Sequence, residues 1–279
     1  MKKQLIFFPV LLIVMTLYSG CNNDSSKKEE TSSQLVEIRY PDKGDFTTLY
    51  QFFRNNDPAK AVIDKLRRDG TVTNIVNQLN SYFMLPHDVI IRFRQSDTAN
   101  AWYDPTTRSI DFTSAFIFDF YDKFSKYYSG QELTNKVTSV VIFFLLHEIG
   151  HAVIDIYDLS VKGPEEDMAD YFAVYLLSQG DDAIQSIAMF GAQMFLEYSK
   201  DLATVPLNQL PLWDEHSLDP QRLYHILCLL YGKDPNKYNY VVNRNLLPMR
   251  RADRCGEEYD KMMRGWDRDL NFYKHAPTE

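Results

Sequence analysis

The chain has 279 residues, 45% of them hydrophobic and 14% aromatic, enough to fill a substantial core and to exclude global disorder. Its formal net charge is −8, and loss of Lys2 and Lys3 with a leader would take the exported chain to about −10. That acidity argues against a nucleic-acid partner, which requires a basic face to offset phosphates; otherwise the charge serves solubility.

Lys2 and Lys3 precede an apolar run from Leu5 to Leu17, too short for a typical spanning helix and patterned as a signal peptide over residues 1–20. The run ends Leu17-Tyr18-Ser19-Gly20-Cys21, which resembles the bacterial lipoprotein signal, where small residues precede a cysteine that is lipidated and becomes the mature N-terminus. Tyr18 is bulkier than that pattern prefers, and the alternative is an ordinary secretory leader with an incidental cysteine; both export the chain. Lipidation of Cys21 would tie the protein to the membrane of the bacterial cell envelope, facing the periplasm, with Asn22 favouring the outer membrane. Residues 21–34 then form the anchor and a polar tether, and residues 35–279 a single domain without repeat or linker.

Within that domain Val36–Tyr40 alternates like a short strand. Asp57-Pro58 opens a helix that Gly70 closes, and a second helix runs from Thr73 to Leu85, stopped by Pro86. Val89–Arg94 reads as a strand, and Asp104-Pro-Thr-Thr107 as the turn of a hairpin between Ala101-Trp-Tyr and Ser109-Ile-Asp-Phe112. Helices follow over roughly 114–129, 134–156, 165–179, 181–199, 219–231 and 249–273. A small antiparallel or mixed sheet followed by packed helices is an α+β architecture.

The chemistry concentrates where Val140–Leu146 runs into His147-Glu148-Ile149-Gly150-His151. The run has no polar side, so the helix is expected to be buried nearly all round, and two imidazoles and a carboxylate on it are costly unless something satisfies them. Positions four apart share a helical face, so His147 and His151 can offer nitrogens to one ion; zinc suits the pair, and Glu148 can turn toward a water beside it. Gly150 costs about 1 kcal/mol relative to alanine, which predicts another backbone passing close.

A catalytic zinc takes three protein ligands. Gly163-Pro164 starts the next helix, with Glu165, Glu166 and Asp167 in its first turn. Glu166 is the expected third ligand and Glu165 the alternative. Asp170, one turn further on, is placed to accept a hydrogen bond from a ligand histidine. Acidic residues in a first turn also serve the helix dipole, which accounts for some of the trio but not for Asp170. Return of the chain to His151 requires the first helix to break soon after Asp155. Cys228 and Cys255 are expected to form one disulfide worth about 3 kcal/mol, or else to stay as buried thiols.

His-Glu-x-x-His followed by Glu-x-x-Ala-Asp resembles the zincin peptidases, specifically their glutamate-ligand (gluzincin) branch. The wider pattern is similar to a bacterial family of uncharacterised metallopeptidases, through LPHDVIIRF, AWYDPTTRSI, HEIGHAVIDIYDL, GPEEDMADYFAVYLL and WDEHSLDPQRLYHILCLLYG. The resemblance spans about residues 85–270. It implies a zincin-like fold, a hydrolytic Zn2+, peptide or protein substrates, Glu148 as general base, and His147, His151 and Glu166 as ligands. The interval from His151 to Glu166 is shorter than in many gluzincins. His216, in the Trp213–Asp219 loop before an expected cap at Asp219-Pro220, is a candidate donor to the reaction's oxyanion; the other reading is a histidine that holds Asp214 or Glu215. The strand around Trp102 is a candidate edge for an extended substrate. The competing function is a zinc-binding, non-catalytic envelope lipoprotein acting as scaffold or assembly factor, for which Glu148 would have no use.

Overall fold

A computed structural model describes residues 40–55 and 57–275. The leader, Cys21, the tether and Val36–Arg39 of the expected first strand lie outside the described residues, and Tyr40 is not in a strand.

The architecture is α+β, a small mixed sheet packed against helices. The elements are β1 (Phe46–Tyr50), α1 (Lys60–Arg68), α2 (Thr71–Tyr82), β2 (Val89–Arg94), β3 (Ala101–Asp104), β4 (Ser109–Thr113), α3 (Ser114–Ser125), α4 (Gly130–Ile156), α5 (Glu165–Ser178), α6 (Asp182–Leu202), α7 (Asp219–Lys233), α8 (Asn239–Asn243), α9 (Met249–Ala252) and α10 (Cys255–Leu270), with one 3-10 turn at Leu207–Gln209. The sheet order is β1-β2-β4-β3. β1 and β4 both run parallel to β2, and β3 runs antiparallel to β4, which leaves β3 on an edge.

β2 shows why one side of the sheet faces the core. Val89, Ile91 and Phe93 are fully buried, while Arg92 and Arg94 point to the other face and both engage Asp111 of β4. The hairpin between β3 and β4 forms at the expected turn: Asp104 Oδ1 accepts from the backbone N–H of Thr106 (2.8 Å) and Thr107 (3.3 Å), and Arg108 takes the left-handed conformation that re-enters β4.

α4 is the central helix. It is long and apolar enough to cross a membrane, but 89% of its most apolar stretch is buried within the fold, so packing accounts for its hydropathy. It contacts α1, α3, α5, α6 and β3. It ends soon after Asp155, as the return of the chain requires: Asp158 adopts φ 50° and the Leu159 N–H reaches back to the Ile154 carbonyl (2.9 Å). α5 begins at once after Pro164 and crosses α4 so closely that a Cβ on Gly150 would lie 3.0 Å from the Ala169 Cα. The glycine inside the motif is there because α5 passes over it.

Several boundaries differ from the sequence reading. β1 falls at 46–50, where no strand is expected, and is held by the parallel β2 across a long crossover. α1 starts two residues after Pro58, and α2 stops at Tyr82, short of Leu85. α3 ends at Ser125, and α4 starts at Gly130, four residues earlier than the apolar pattern indicates. Asp219 is the first residue of α7 and not its cap; the Gln221 side chain accepts the Leu218 N–H instead (3.1 Å). The expected 249–273 helix is two, α9 and α10, broken at Asp253-Arg254, and α8 is an additional short helix.

Candidate metal centre

Three elements converge on one point. α4 supplies His147 and His151, one turn apart on the face turned to β3 and α5; both are largely buried, with side-chain exposures of 5% and 14%. α5 supplies Glu166 from its first turn. The Glu166 carboxylate spans the two rings: Oε2 lies 3.2 Å from His147 Nε2 and Oε1 lies 3.3 Å from His151 Nε2. The two Nε2 atoms are themselves 3.2 Å apart.

The far side of each ring fixes what these Nε2 atoms are. His147 Nδ1 sits 2.9 Å from Asp170 Oδ1, and His151 Nδ1 sits 2.8 Å from Glu165 Oε1. A carboxylate opposite Nδ1 keeps the proton there, so both Nε2 lone pairs are aimed at the same small volume as the Glu166 oxygens. Glu166 Oε2 is buried with no hydrogen-bond partner. Such a convergence of electron pairs favours a positive charge between them, a metal ion or a proton. The electrostatics show the same preference. Burial opposes protonation of His147, but Asp170 and Glu166 outweigh it and its pKa is pushed up to about 9. His151 shifts the same way, its burial overcome by Glu166 and Glu165. Burial would raise the Glu166 carboxyl, yet the two imidazoles hold it far below the ordinary carboxylate range. The donor set of two imidazole nitrogens and one carboxylate, with outer carboxylates on both rings, fits a divalent metal, zinc among them.

Glu165 therefore lies behind His151 and not at the point of convergence, whereas Asp170 stands where the sequence places it. Arg222 of α7, which sequence reasoning missed, grips Asp170 through Nε (2.7 Å to Oδ2) and Nη2 (2.8 Å to Oδ1). It is buried, and it interrupts a helix face otherwise made of Leu223, Ile226 and Leu230. A lone arginine on an apolar face was the available signal.

Glu148 is buried and lines the same cleft as Tyr103 of the edge strand. Burial pushes its carboxyl up despite the nearby histidines. The Tyr103 hydroxyl in turn donates to Asp155 Oδ2 (2.9 Å), tying β3 to the end of α4.

His216 reaches the site from the loop before α7. Its Nδ1 lies 2.7 Å from Asp214 Oδ1, whose other contact is the His216 backbone N–H (2.9 Å), and its Nε2 lies 3.2 Å from Glu166 Oε2. Asp214 holds the ring, the pairing one sequence reading expects, and Nε2 faces Glu166. Ser217 Oγ donates to Asp167 Oδ2 (2.9 Å), fastening this loop to α5. The site opens into one cleft of about 650 Å³, lined by Trp102 and Tyr103 of the edge strand and by His147, Glu148, His151, Glu166 and His216. Cys228 and Cys255 do not join the cleft; they form a disulfide between α7 and the start of α10.

A family model described as "Putative metallopeptidase" (DUF4344) matches residues 53–270, most of the chain and all of the site. No curated protein and no solved structure matches it.

Proposed function

Because the chain belongs to this metallopeptidase family, and because three electron-pair donors meet in its cleft, we propose that it is a zinc-dependent peptidase of zincin type. The observation that carries the reading is the meeting of His147 Nε2, His151 Nε2 and the Glu166 carboxylate beside the buried carboxylate of Glu148.

His147, His151 and Glu166 would hold the ion. Bound there, zinc supplies Lewis acidity that polarises an amide carbonyl and acidifies water. The remaining chemistry belongs to the chain's own residues. Asp170 and Glu165 keep the Nδ1 protons in place, so that both rings present Nε2 inward. Glu148, which lines the cleft, accepts the proton of the attacking water and returns it to the leaving amine; burial raises its carboxyl, which suits it to that exchange. Asp214 fixes the His216 ring so that its Nε2–H can donate to the oxyanion as the carbonyl becomes tetrahedral. β3 has an unpaired edge beside Glu148, where an extended peptide can add as a further strand and set its carbonyl against these groups.

On the leader pattern we place the protein outside the cytoplasm, tied to the envelope membrane by lipid on Cys21. Radiolabelled palmitate incorporation that is lost in Cys21→Ser tests the anchor. For the reaction, Glu148→Gln is expected to retain one zinc per chain and to lower peptide turnover about 10²–10⁴-fold. Zinc retained with turnover unchanged would leave the scaffold reading standing.

A further inference from the structure

A second cavity opens beside the cleft at the start of β3, and the proposed reaction makes no use of it. It encloses about 420 Å³ and is lined by Arg94 at the end of β2, by Ser96, Thr98 and Asn100 of the following loop, by Trp102 of β3 and by Thr113 of β4. Asn100 and Trp102 line the metal cleft as well, so the two cavities share a wall. Hydrogen bonds fasten the loop that shapes it. The Asn100 N–H donates to Thr113 Oγ1 (3.0 Å), and that hydroxyl donates to the Asn100 carbonyl (2.8 Å). Ser96 Oγ accepts from the Thr98 N–H (3.1 Å).

Among the described residues Arg94 is the one charged group in this wall, and its hydrogen-bonding capacity is unused. Its ion-pair partner is Asp111, but Arg92 already holds both oxygens of that carboxylate, Nε at 3.1 Å from Oδ1 and Nη2 at 2.6 Å from Oδ2. Arg94 Nε only approaches Oδ1 (3.3 Å); it is buried and has no hydrogen-bond partner. The guanidinium carbon lies 4.8 Å from the centre of the Trp102 ring. Packing against an indole orients a guanidinium and leaves its N–H groups in its own plane, where two of them can grip one carboxylate. The Arg94 side chain is 38% exposed, so a ligand can reach it. Thr98 and Asn100 add a hydroxyl and a carboxamide to the same wall.

Resting on the peptidase reading, we infer that this cavity is a substrate subsite in which Arg94 takes a carboxylate. A peptide added along the β3 edge passes from Tyr103, in the metal cleft, to Asn100 within three residues, about 10 Å of extended chain. The recognised group therefore sits a few residues from the scissile bond. It is an acidic side chain or a free C-terminus, and both present the same two oxygens to the guanidinium. The chain carries a net charge of −8, so its overall field repels anions and a preference for them has to arise locally.

Binding separates this inference from the reaction itself. The zinc-loaded full chain carrying Glu148→Gln is titrated with fluorescent peptides of one neutral, N-acetylated sequence. A single Glu replaces Gln at each position in turn, and the C-terminus is either free or amidated. We expect a Glu at one position, or the free C-terminus, to tighten binding about tenfold over the neutral amidated parent at about 20 mM salt. The ratio should shrink at about 500 mM salt. Arg94→Gln should bring it near one while zinc content and affinity for the neutral parent stay unchanged. Thr98→Asp, at an exposed loop position away from the sheet, sets a like charge in the cavity and should do the same. A preference tied to one Glu position identifies the ligand as a side chain, and one lost on amidation identifies it as the C-terminus. Equal affinities across the set, or a preference that survives either substitution, overturn the inference. Turnover of the same peptides by the unsubstituted chain reports separately on the peptidase reading: selective binding without cleavage would count against that reading, whereas cleavage with no anionic preference would sink only this one.

Discussion

At the scale of single residues, the site depends on a relay of charge that runs from outside the metal centre inward. Arg222 holds both oxygens of Asp170, and Asp170 holds His147 Nδ1, all three side chains being nearly inaccessible to water. Burial would raise the Asp170 carboxyl, but Arg222 and His147 keep it down at about 2. Replacing Arg222 with methionine would leave that charge buried with only an imidazole to answer it. Removal of one partner from such a pair costs about 3–5 kcal/mol. Loss of the orientation it gives His147 should weaken zinc binding about 10–100-fold. Urea unfolding and zinc competition with a chelator measure the two effects. Adding Asp170→Asn to Arg222→Met should recover part of the stability while leaving zinc affinity low, since the stranded charge is gone but the polarised histidine is not restored. Equal zinc affinity in the single variant would show that the pair only packs. At this same scale the sequence was most legible for His147, His151, Glu166 and Asp170, whose meeting in space follows from helical spacing within two adjacent segments. Arg222 was not legible, because it is brought to the site by tertiary packing from a distant stretch of chain.

Among the elements, legibility followed how local the determining interactions are. β2, the β3–β4 hairpin and α3 through α7 declare themselves through periodicity, a proline or an Asx turn, and they fall near their expected places. β1 does not: Phe46-Thr-Thr-Leu-Tyr50 is half exposed and becomes a strand only because β2, forty residues on, pairs with it in parallel. The break between α9 and α10 is likewise long-range. α10 begins at Cys255, which is bonded to Cys228 of α7, and its carbonyl sits so close to Gly232 that a Cβ there would be 2.1 Å away. The α7–α10 contact thus depends on one covalent link and one missing side chain. With the cysteines 27 positions apart in sequence, loop-closure entropy gives the bond about 3.5 kcal/mol. Replacing both cysteines with serine is therefore expected to lower the unfolding free energy by about that amount. Because α7 also carries Arg222, zinc affinity should fall with it; chemical denaturation and zinc competition on the same variant test the linkage. A variant with full stability would show that helix packing alone holds α10 in place.

For the whole molecule, the interior is rich in phenols, and this sets a direction for its response to alkali. Burial pushes Tyr50 and Tyr171 up to about 12, and it raises Tyr157 and Tyr198 as well, Tyr198 with the further help of Asp119. Tyr198 donates to that Asp119 carboxylate (2.6 Å), joining α3 to α6, and Tyr157 donates to the Met84 carbonyl (3.0 Å), joining the end of α4 to the chain after α2. The sign follows from proton counting. An unfolded chain releases phenolic protons near pH 10, whereas the folded chain keeps those of Tyr50 and Tyr171 until about pH 12. Between those values the folded state binds more protons, so raising the pH favours unfolding. The stabilisation from these groups is complete below about pH 10 and is lost as the pH climbs through about 12. We therefore expect the urea midpoint to hold steady from neutrality to about pH 10 and then to drop, with part of the tyrosinate absorbance appearing only as the chain unfolds. A Tyr198→Phe variant isolates one contribution: it loses the bond to Asp119, and it should be less stable at neutral pH but show a shallower alkaline decline. A full tyrosine titration near pH 10 with no fall in the urea midpoint would mean that water reaches these rings and that the helical layer is looser than its packing indicates.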